Sequence, residues 1–430
     1  MMFPEDMRDW LPKNHLVHFI VDAVNQIGVG SFRINKRGTG DEQYPPDMML
    51  ALLIYSYATG RFGSRTIEAA TYTDVAIRYI CGGIAHPDHS VICAFRKDNK
   101  GAFEEAFTKI LVLARQLKKL KKVGGHQRGW NEDKSQREQA QGGELQTGWG
   151  NNNRDGRGSA EADKDGRGRG RLEEGLNIPD ELQRREDRQA AMKEARAAME
   201  AMYKEAEEEN TNQGKKLEEY QYNFTDSDSR IMKAGNGKHF EQSYNAQAAV
   251  DTEGSMLLLG GYVTQHVNDK QELAPAVGSV PDEVREADTV SADSGFYSED
   301  AVQAVEKRNE GNERTGPEVF CAVEKGKHGR SVEDLKKKPP KGRPPKNMTP
   351  KEKMAWKLKT RRGSGICKKR KETVEPVFGI IKSVMGFRQF MLRGLPKVNT
   401  EWALVRTAYN FKRLYNLLTG KSLSQCQTLG

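Results

Sequence analysis

Residues 369–382 read Lys-Arg-Lys-Glu-Thr-Val-Glu-Pro-Val-Phe-Gly-Ile-Ile-Lys, a run that sets Glu375 between the cations Arg370 and Lys382. Glu375 and Lys382 are seven residues apart. At about 3.6 residues per turn a helix carries both on one face, two turns apart, while Val377, Phe378, Ile380 and Ile381 seat it. Proline is tolerated in a first turn, so Pro376 predicts a helix that starts near Thr373 and holds Glu375 at its positive end. A carboxylate and an ammonium aimed into one site suit phosphodiester chemistry. An ordinary amphipathic helix with a solvated charged face has the same pattern.

Charge is unevenly spread. Residues 321–430 hold 27 Lys and Arg against 7 Asp and Glu, whereas the remaining 320 residues hold 42 against 53. A cationic surplus confined to one quarter of a chain points to a polyanionic partner, with nucleic acid as the default. Within it, residues 336–370 carry 15 Lys or Arg in 35 positions, and Lys341, Arg343 and Lys346 lie in the proline-rich part. Proline keeps such a segment extended, which predicts a phosphate-binding strap that does not read bases; a solvated linker is the alternative. Five cysteines (Cys81, Cys93, Cys321, Cys367, Cys426) include no CxxC pair, which argues against a zinc site or a disulfide framework. The longest apolar run, Met48 to Ala58, spans 11 residues, about half of a membrane crossing. A soluble, cytoplasmic protein without a membrane partner is expected.

Residues 1–122 predict an all-helical N-terminal domain, with helices at 15–27, 46–59, 64–70, 73–80, 89–97 and 102–122, and with Ser64 and Asp88 as caps. The basic ends Arg61, Arg65, Arg96 and Lys97 fit either a helix-turn-helix DNA reader or a plain bundle. Residues 125–171 contain 11 glycines and no Val, Ile, Phe, Tyr, Met or Cys, a composition that cannot bury a core. A charged helical arm follows over 172–222, its helix spanning about 180–208. Strands are predicted at 244–250, 255–260 and 288–292, the second extended by 261–265. Asp293 ends the last of these, before a Gly295 turn and a Ser298-capped helix over 299–308. That is a common place for a metal-binding carboxylate and for a surface-loop Asp. A final amphipathic helix is predicted at 400–418, with Thr400 as its cap and Gly420 as its stop.

These pieces together resemble the bacterial insertion-sequence DDE transposases. The carriers are Tyr44-Pro45-Pro46, Ala85 to Arg96, Asn177-Ile178-Pro179-Asp180, Asp226-Ser227-Asp228-Ser229-Arg230, Tyr244-Asn245-Ala246-Gln247, Ala292-Asp293-Ser294-Gly295 and Val374-Glu375-Pro376-Val377-Phe378-Gly379. The resemblance implies an α+β architecture: the helical domain (1–122), an aberrant segment (123–171), the arm (172–222), and a ribonuclease-H-like mixed-sheet domain (223–420). It implies a DNA transposase that cuts and joins duplex DNA at element ends and acts as a homo-oligomer at the bacterial nucleoid. In this family three carboxylates hold two Mg²⁺ ions for in-line displacement. Asp293 matches the second acid and Glu375 the third, as catalytic and metal-binding residues. Arg370 and Lys382 match the basic partners that hold DNA. Cys367 stands where the family places a Tyr.

The first acid lies in a Val-Asp-Gly-Thr-Lys-like run after the helical domain, and this chain has no such run. Read one base over with permitted codons, Gly125 to Gln146 can give G-I-S-V-D-G-T-K-I-K-A-N-A-S-K-H-K-A-V-S-Y-R, whose Asp straddles the codons of Gly129 and Trp130. A frameshifted copy with an incomplete Mg²⁺ site and impaired catalysis is therefore expected. Residues 125–171 should be poorly ordered and leave neighbouring strands unpaired. The alternative functions are a non-catalytic DNA-binding transposase remnant and a Gly/Arg-rich RNA binder. The second is weakened by the scarcity of aromatic residues for base stacking.

Overall fold

The computed structural model describes residues 6–28, 30, 32, 43–83, 85–120, 127–130, 144–147, 185–208, 216–217, 221–233, 240–309, 313–323, 339–342, 344–345 and 347–420. Glycine, proline and short polar caps punctuate the N-terminal part into α1 (Leu16–Ile27), α2 (Pro46–Ala58), α3 (Ser64–Thr73), α4 (Val75–Ile80), α5 (His89–Asp98) and α6 (Lys100–Gln116). Asp88 caps α5 as expected, accepting from Ser90 N (2.6 Å) and Val91 N (3.0 Å). Ser64 does not cap α3: Gly63 holds the cap position and Ser64 is the first helical residue. Asp74 caps α4, accepting from Ile77 N at 3.0 Å, so that helix starts at Val75 instead of Thr73. Met49 to Ala58 of α2 are buried on every side, the pattern of a central helix.

The sheet is built from β1 (Gln127–Trp130), β2 (Glu144–Thr147), then, beyond the arm helix α7 (Arg185–Glu208), β3 (Arg230–Lys233), β4 (Phe240–Asp251) and β5 (Leu258–Thr264). After α8 (Leu273–Gly278) come β6 (Thr289–Ala292), α9 (Glu299–Glu306) and β7 (Glu318–Cys321). The chain ends through α10 (Pro350–Lys359), α11 (Arg361–Gly379), a π-helical turn over Ile380–Val384, β8 (Gln389–Phe390) and α12 (Leu395–Thr419). Across the sheet β5, β4 and β1 are antiparallel neighbours, and β1, β6 and β7 are parallel. Three antiparallel strands followed by two parallel ones form the mixed sheet that the resemblance predicts. The short strands β2 and β3 pair with opposite edges of the first half of β4, and β8 pairs with β2.

The strand neighbouring β4 and β6 is not missing, which corrects one expectation. β1 fills the central slot, pairing Arg128 with Asp251 and Gly129 with Val250 on one side, and Gly129 with Ser291 on the other. Ladder bonds join main-chain groups, so a polar, Gly-containing segment can occupy a slot flanked by partners on both sides. Glu144–Thr147 likewise form a paired strand, β2; the expectation of disorder over the other residues of 125–171 lies outside the described residues. So does the start of the arm helix before Arg185.

Helix α12 joins the two halves. Thr400 to Phe411 are all buried, against α2 and α6 on one side and β5 on the other. One apolar core therefore runs from Val17 to Leu414. Thr400, expected as a cap, sits inside the helix with its hydroxyl donating to Pro396 O (3.0 Å), and Gly420 closes the helix in the left-handed region as predicted. Close approach of α12 to the sheet depends on Gly261. A Cβ there would lie 2.4 Å from the Gln247 carbonyl and 3.2 Å from Trp402 Nε1. Gly261→Ala is expected to cost about 1–3 kcal/mol by overpacking, read as a lowered urea midpoint with an unchanged m-value. Among the described residues no helix is long and apolar enough to cross a membrane.

Candidate active site

Strand β6 runs out at Asp293, whose backbone stays extended (φ −80°, ψ 171°) before the turn Ser294–Phe296. Ser298 then caps α9, accepting from Ala301 N at 3.1 Å, as the sequence predicts. Cys321, at the end of the neighbouring strand, donates its Sγ–H to the Asp293 carbonyl (3.1 Å). Burial first, and the Asp293 charge second, push the Cys321 thiol well above its usual range, so it stays a protonated packing group. Burial likewise raises the pKa of the Cys367 thiol.

The helix bearing Glu375 starts far earlier than Pro376 suggests. Thr360 caps α11, its Oγ1 accepting from Gly363 N (3.1 Å), and the helix runs through Pro376 to Gly379. Glu375 is thus near the C-terminal end of α11 and not at its positive end. An interior proline removes one i→i−4 bond. The helix then widens, with Met385 N bonding Ile380 O at 2.8 Å, five residues back. Burial compensates: Val374, Val377, Phe378 and Ile381 are at most 1 % exposed, and Phe378 stacks on Trp402 of α12 with centroids 6.3 Å apart. Ile380, expected to help seat the helix, is only half-buried against that core.

Ion pairs fix α10 and α11 across the sheet. Lys357 Nζ reaches Glu318 (3.0 Å) and the Val319 carbonyl (2.7 Å), Arg362 reaches Glu318 (2.7 Å), and Lys369 reaches Glu253 in the β4–β5 turn (2.7 Å). Burial opposes the Glu318 carboxylate, yet Lys357, Arg362 and Arg314 hold its pKa below the ordinary value. Arg370 points inward, 4 % exposed, with Nη2 3.9 Å from Asp293 Oδ1. Glu375 is half-buried five residues further on, about 7.5 Å along the helix axis. Lys382 is buried at 5 % exposure in the π-helical turn.

The segment 336–370 is not an extended strap throughout, because residues from Pro350 onward are helical. A capping box at Thr349 and Glu352 initiates α10. Lys341 is exposed; Arg343 and Lys346 lie outside the described residues. Of the basic ends suggested for a DNA reader, Arg96 is buried at 3 % and donates to Tyr57 Oη and the Phe62 carbonyl, each at 2.7 Å. Arg61 pairs with Asp74 at 2.8 Å.

Register shows what stands where the first acid is expected. Gly129 pairs in parallel with Ser291, two residues before Asp293 on an extended chain. Alternate strand residues share a face, so positions 129, 291 and 293 lie on the same side of the sheet. That side is covered by α12, since Gly261, opposite Ala248, lies against Trp402 and Arg406. On that face the last position of the central strand is therefore a glycine, level with Ser291 and two residues short of Asp293.

The residues present do not fit a paired Mg²⁺ site. Among the described residues no group of three His, Cys, Asp or Glu is arranged to hold a metal ion, and the cation beside Asp293 is Arg370. Sequence reading missed β1, β2, β3, β7, β8, α8, α10 and the Cys321 contact to Asp293. The Thr360 cap was legible, a Thr directly before Arg-Arg-Gly-Ser, had the proline not been given priority.

Two family models match the chain. One, described as Transposase DDE domain, covers residues 213–411, and the other, Transposase domain (DUF772), covers residues 5–98. Asp293, Arg370, Glu375 and Lys382 fall inside the first match, whereas β1 falls in neither. No curated protein and no solved structure matches.

Proposed function

We propose, for a chain that belongs to the insertion-sequence DDE transposases, a molecule that binds the ends of its element and cuts them poorly or not at all. The supporting observation is the glycine at position 129, on the central strand opposite Ser291 and on the face that Asp293 shares two residues further on. Metal-dependent strand transfer asks three acids to converge, and a backbone position without a side chain supplies none. Asp293 and Glu375 are the retained second and third acids in this reading. Arg370 neutralises Asp293 in place of a metal ion. Lys341, Arg343, Lys346 and Lys382 serve the DNA. The protein acts on duplex DNA in the bacterial cytoplasm, at the nucleoid, as a homo-oligomer.

Its origin in a frameshift has a direct check. Sequencing the gene across codons 123–172 should reveal an open neighbouring frame that encodes an Asp-Gly-Thr run whose Asp straddles codons 129 and 130. A stop codon there, or no such run, removes the frameshift from the account. For the activity, a gel shift that weakens with salt and is unaccompanied by Mg²⁺-dependent nicking marks the non-catalytic remnant. Robust nicking by the unaltered chain overturns the proposal.

A further inference from the structure

Arg361, Lys368, Glu375 and Lys382 recur at intervals of seven residues. At about 100° per residue each interval turns a helix by about 700°, within 20° of two full turns, so on α11 the first three form a nearly straight line. Exposure falls along it. Arg361 and Lys368 are exposed, Glu375 is half-buried, and Lys382, in the π-helical turn, is buried. Of the neighbouring cations, Arg362 is engaged with Glu318 and Lys369 with Glu253, each at 2.7 Å, whereas Lys368 makes only a longer, solvent-exposed i,i+4 pair with Glu372 at 3.6 Å. Between the two exposed cations the line passes Ser364 and Gly365, both exposed and small, so a ligand backbone can lie close to the helix there.

We infer that this line is a phosphate track, along which one strand of duplex DNA follows the outer face of α11 from Arg361 past Lys368 to the half-buried Glu375. The fourteen residues from Arg361 to Glu375 span about 21 Å, close to six base pairs at 3.4 Å each. Arg361 and Lys368 hold phosphates without reading bases and guide the strand toward the site. The inference rests on the DNA-binding reading above and adds to it the residues and the direction of approach.

The test uses the full-length protein and a random-sequence duplex of about 30 base pairs, with affinity measured against salt concentration. Each lost phosphate contact lowers the log–log salt slope by about 0.9. R361S/K368S should therefore lower the slope by about 2, while R362S/K369S, which removes only the anchored cations, should leave it unchanged if its circular dichroism is native. An unchanged slope in R361S/K368S, or an equal fall in R362S/K369S, overturns the track while DNA binding stands. Absence of salt-dependent binding by the unaltered chain overturns both the track and the DNA-binding reading.

Discussion

Divalent-cation-dependent nicking of DNA carrying the element's ends is expected to appear when residues 125–146 are rewritten as the neighbouring-frame sequence, which places an Asp at position 129. The gain should be roughly 10²–10³-fold over the unaltered chain, the scale on which one preorganised charge-stabilising group acts. Position 129 pairs with Ser291 two residues before Asp293, so the new carboxylate would enter on the face that Asp293 occupies. Gly129→Asp alone should give a smaller gain, because its neighbours keep the polar, Gly-rich composition and the acid is held less firmly. Glu375→Gln in the rewritten chain should abolish the gain. A rewritten protein that folds and binds DNA yet never nicks it would falsify the assignment of Asp293 and Glu375 as acids of one site.

The second large effect concerns stability. Tyr57 donates its hydroxyl to Glu401 Oε1 at 2.7 Å and accepts from Arg96 at 2.7 Å, and Arg96 lies 3.8 Å from Glu401. Glu401 Oε2 also accepts from the main-chain N–H groups of Met391 (2.8 Å) and Leu392 (2.9 Å). All three side chains are at most 3 % exposed, at the junction where α2 and α5 meet α12. Removing one member of a buried ion pair leaves the other charge uncompensated. Arg96→Met is therefore expected to cost about 3–5 kcal/mol, read by urea unfolding. Arg96→Met combined with Glu401→Met should cost less than the sum of the two single changes, since neither charge then remains buried alone. Additive losses would show that the two side chains do not act as a pair.

Much of the architecture was legible locally. Asp88 and Ser298 announce helices because a short polar side chain before an apolar-periodic run satisfies otherwise orphan N–H groups. The β4–β5 hairpin and the strand ending at Asp293 were visible in alternation and turn residues. The start of α11 was misread because Pro376 is a strong local signal. Packing of Val374, Val377 and Phe378 against the sheet and α12 overrides it. Arg96 was misread for a related reason: a cation at a helix end looks solvated until a distant carboxylate, Glu401, is folded against it.

The chain by itself determined the family, the candidate acids Asp293 and Glu375 and the lack of the expected first-acid run, because residue identity and short-range spacing carry that information. Only the tertiary structure decided that Gly129 stands beside the Asp293 strand, that Arg370 turns inward to that acid, and that the helical and sheet regions share one core through α12. Strand register and burial are set by contacts between residues far apart in the chain, and no local window contains both partners.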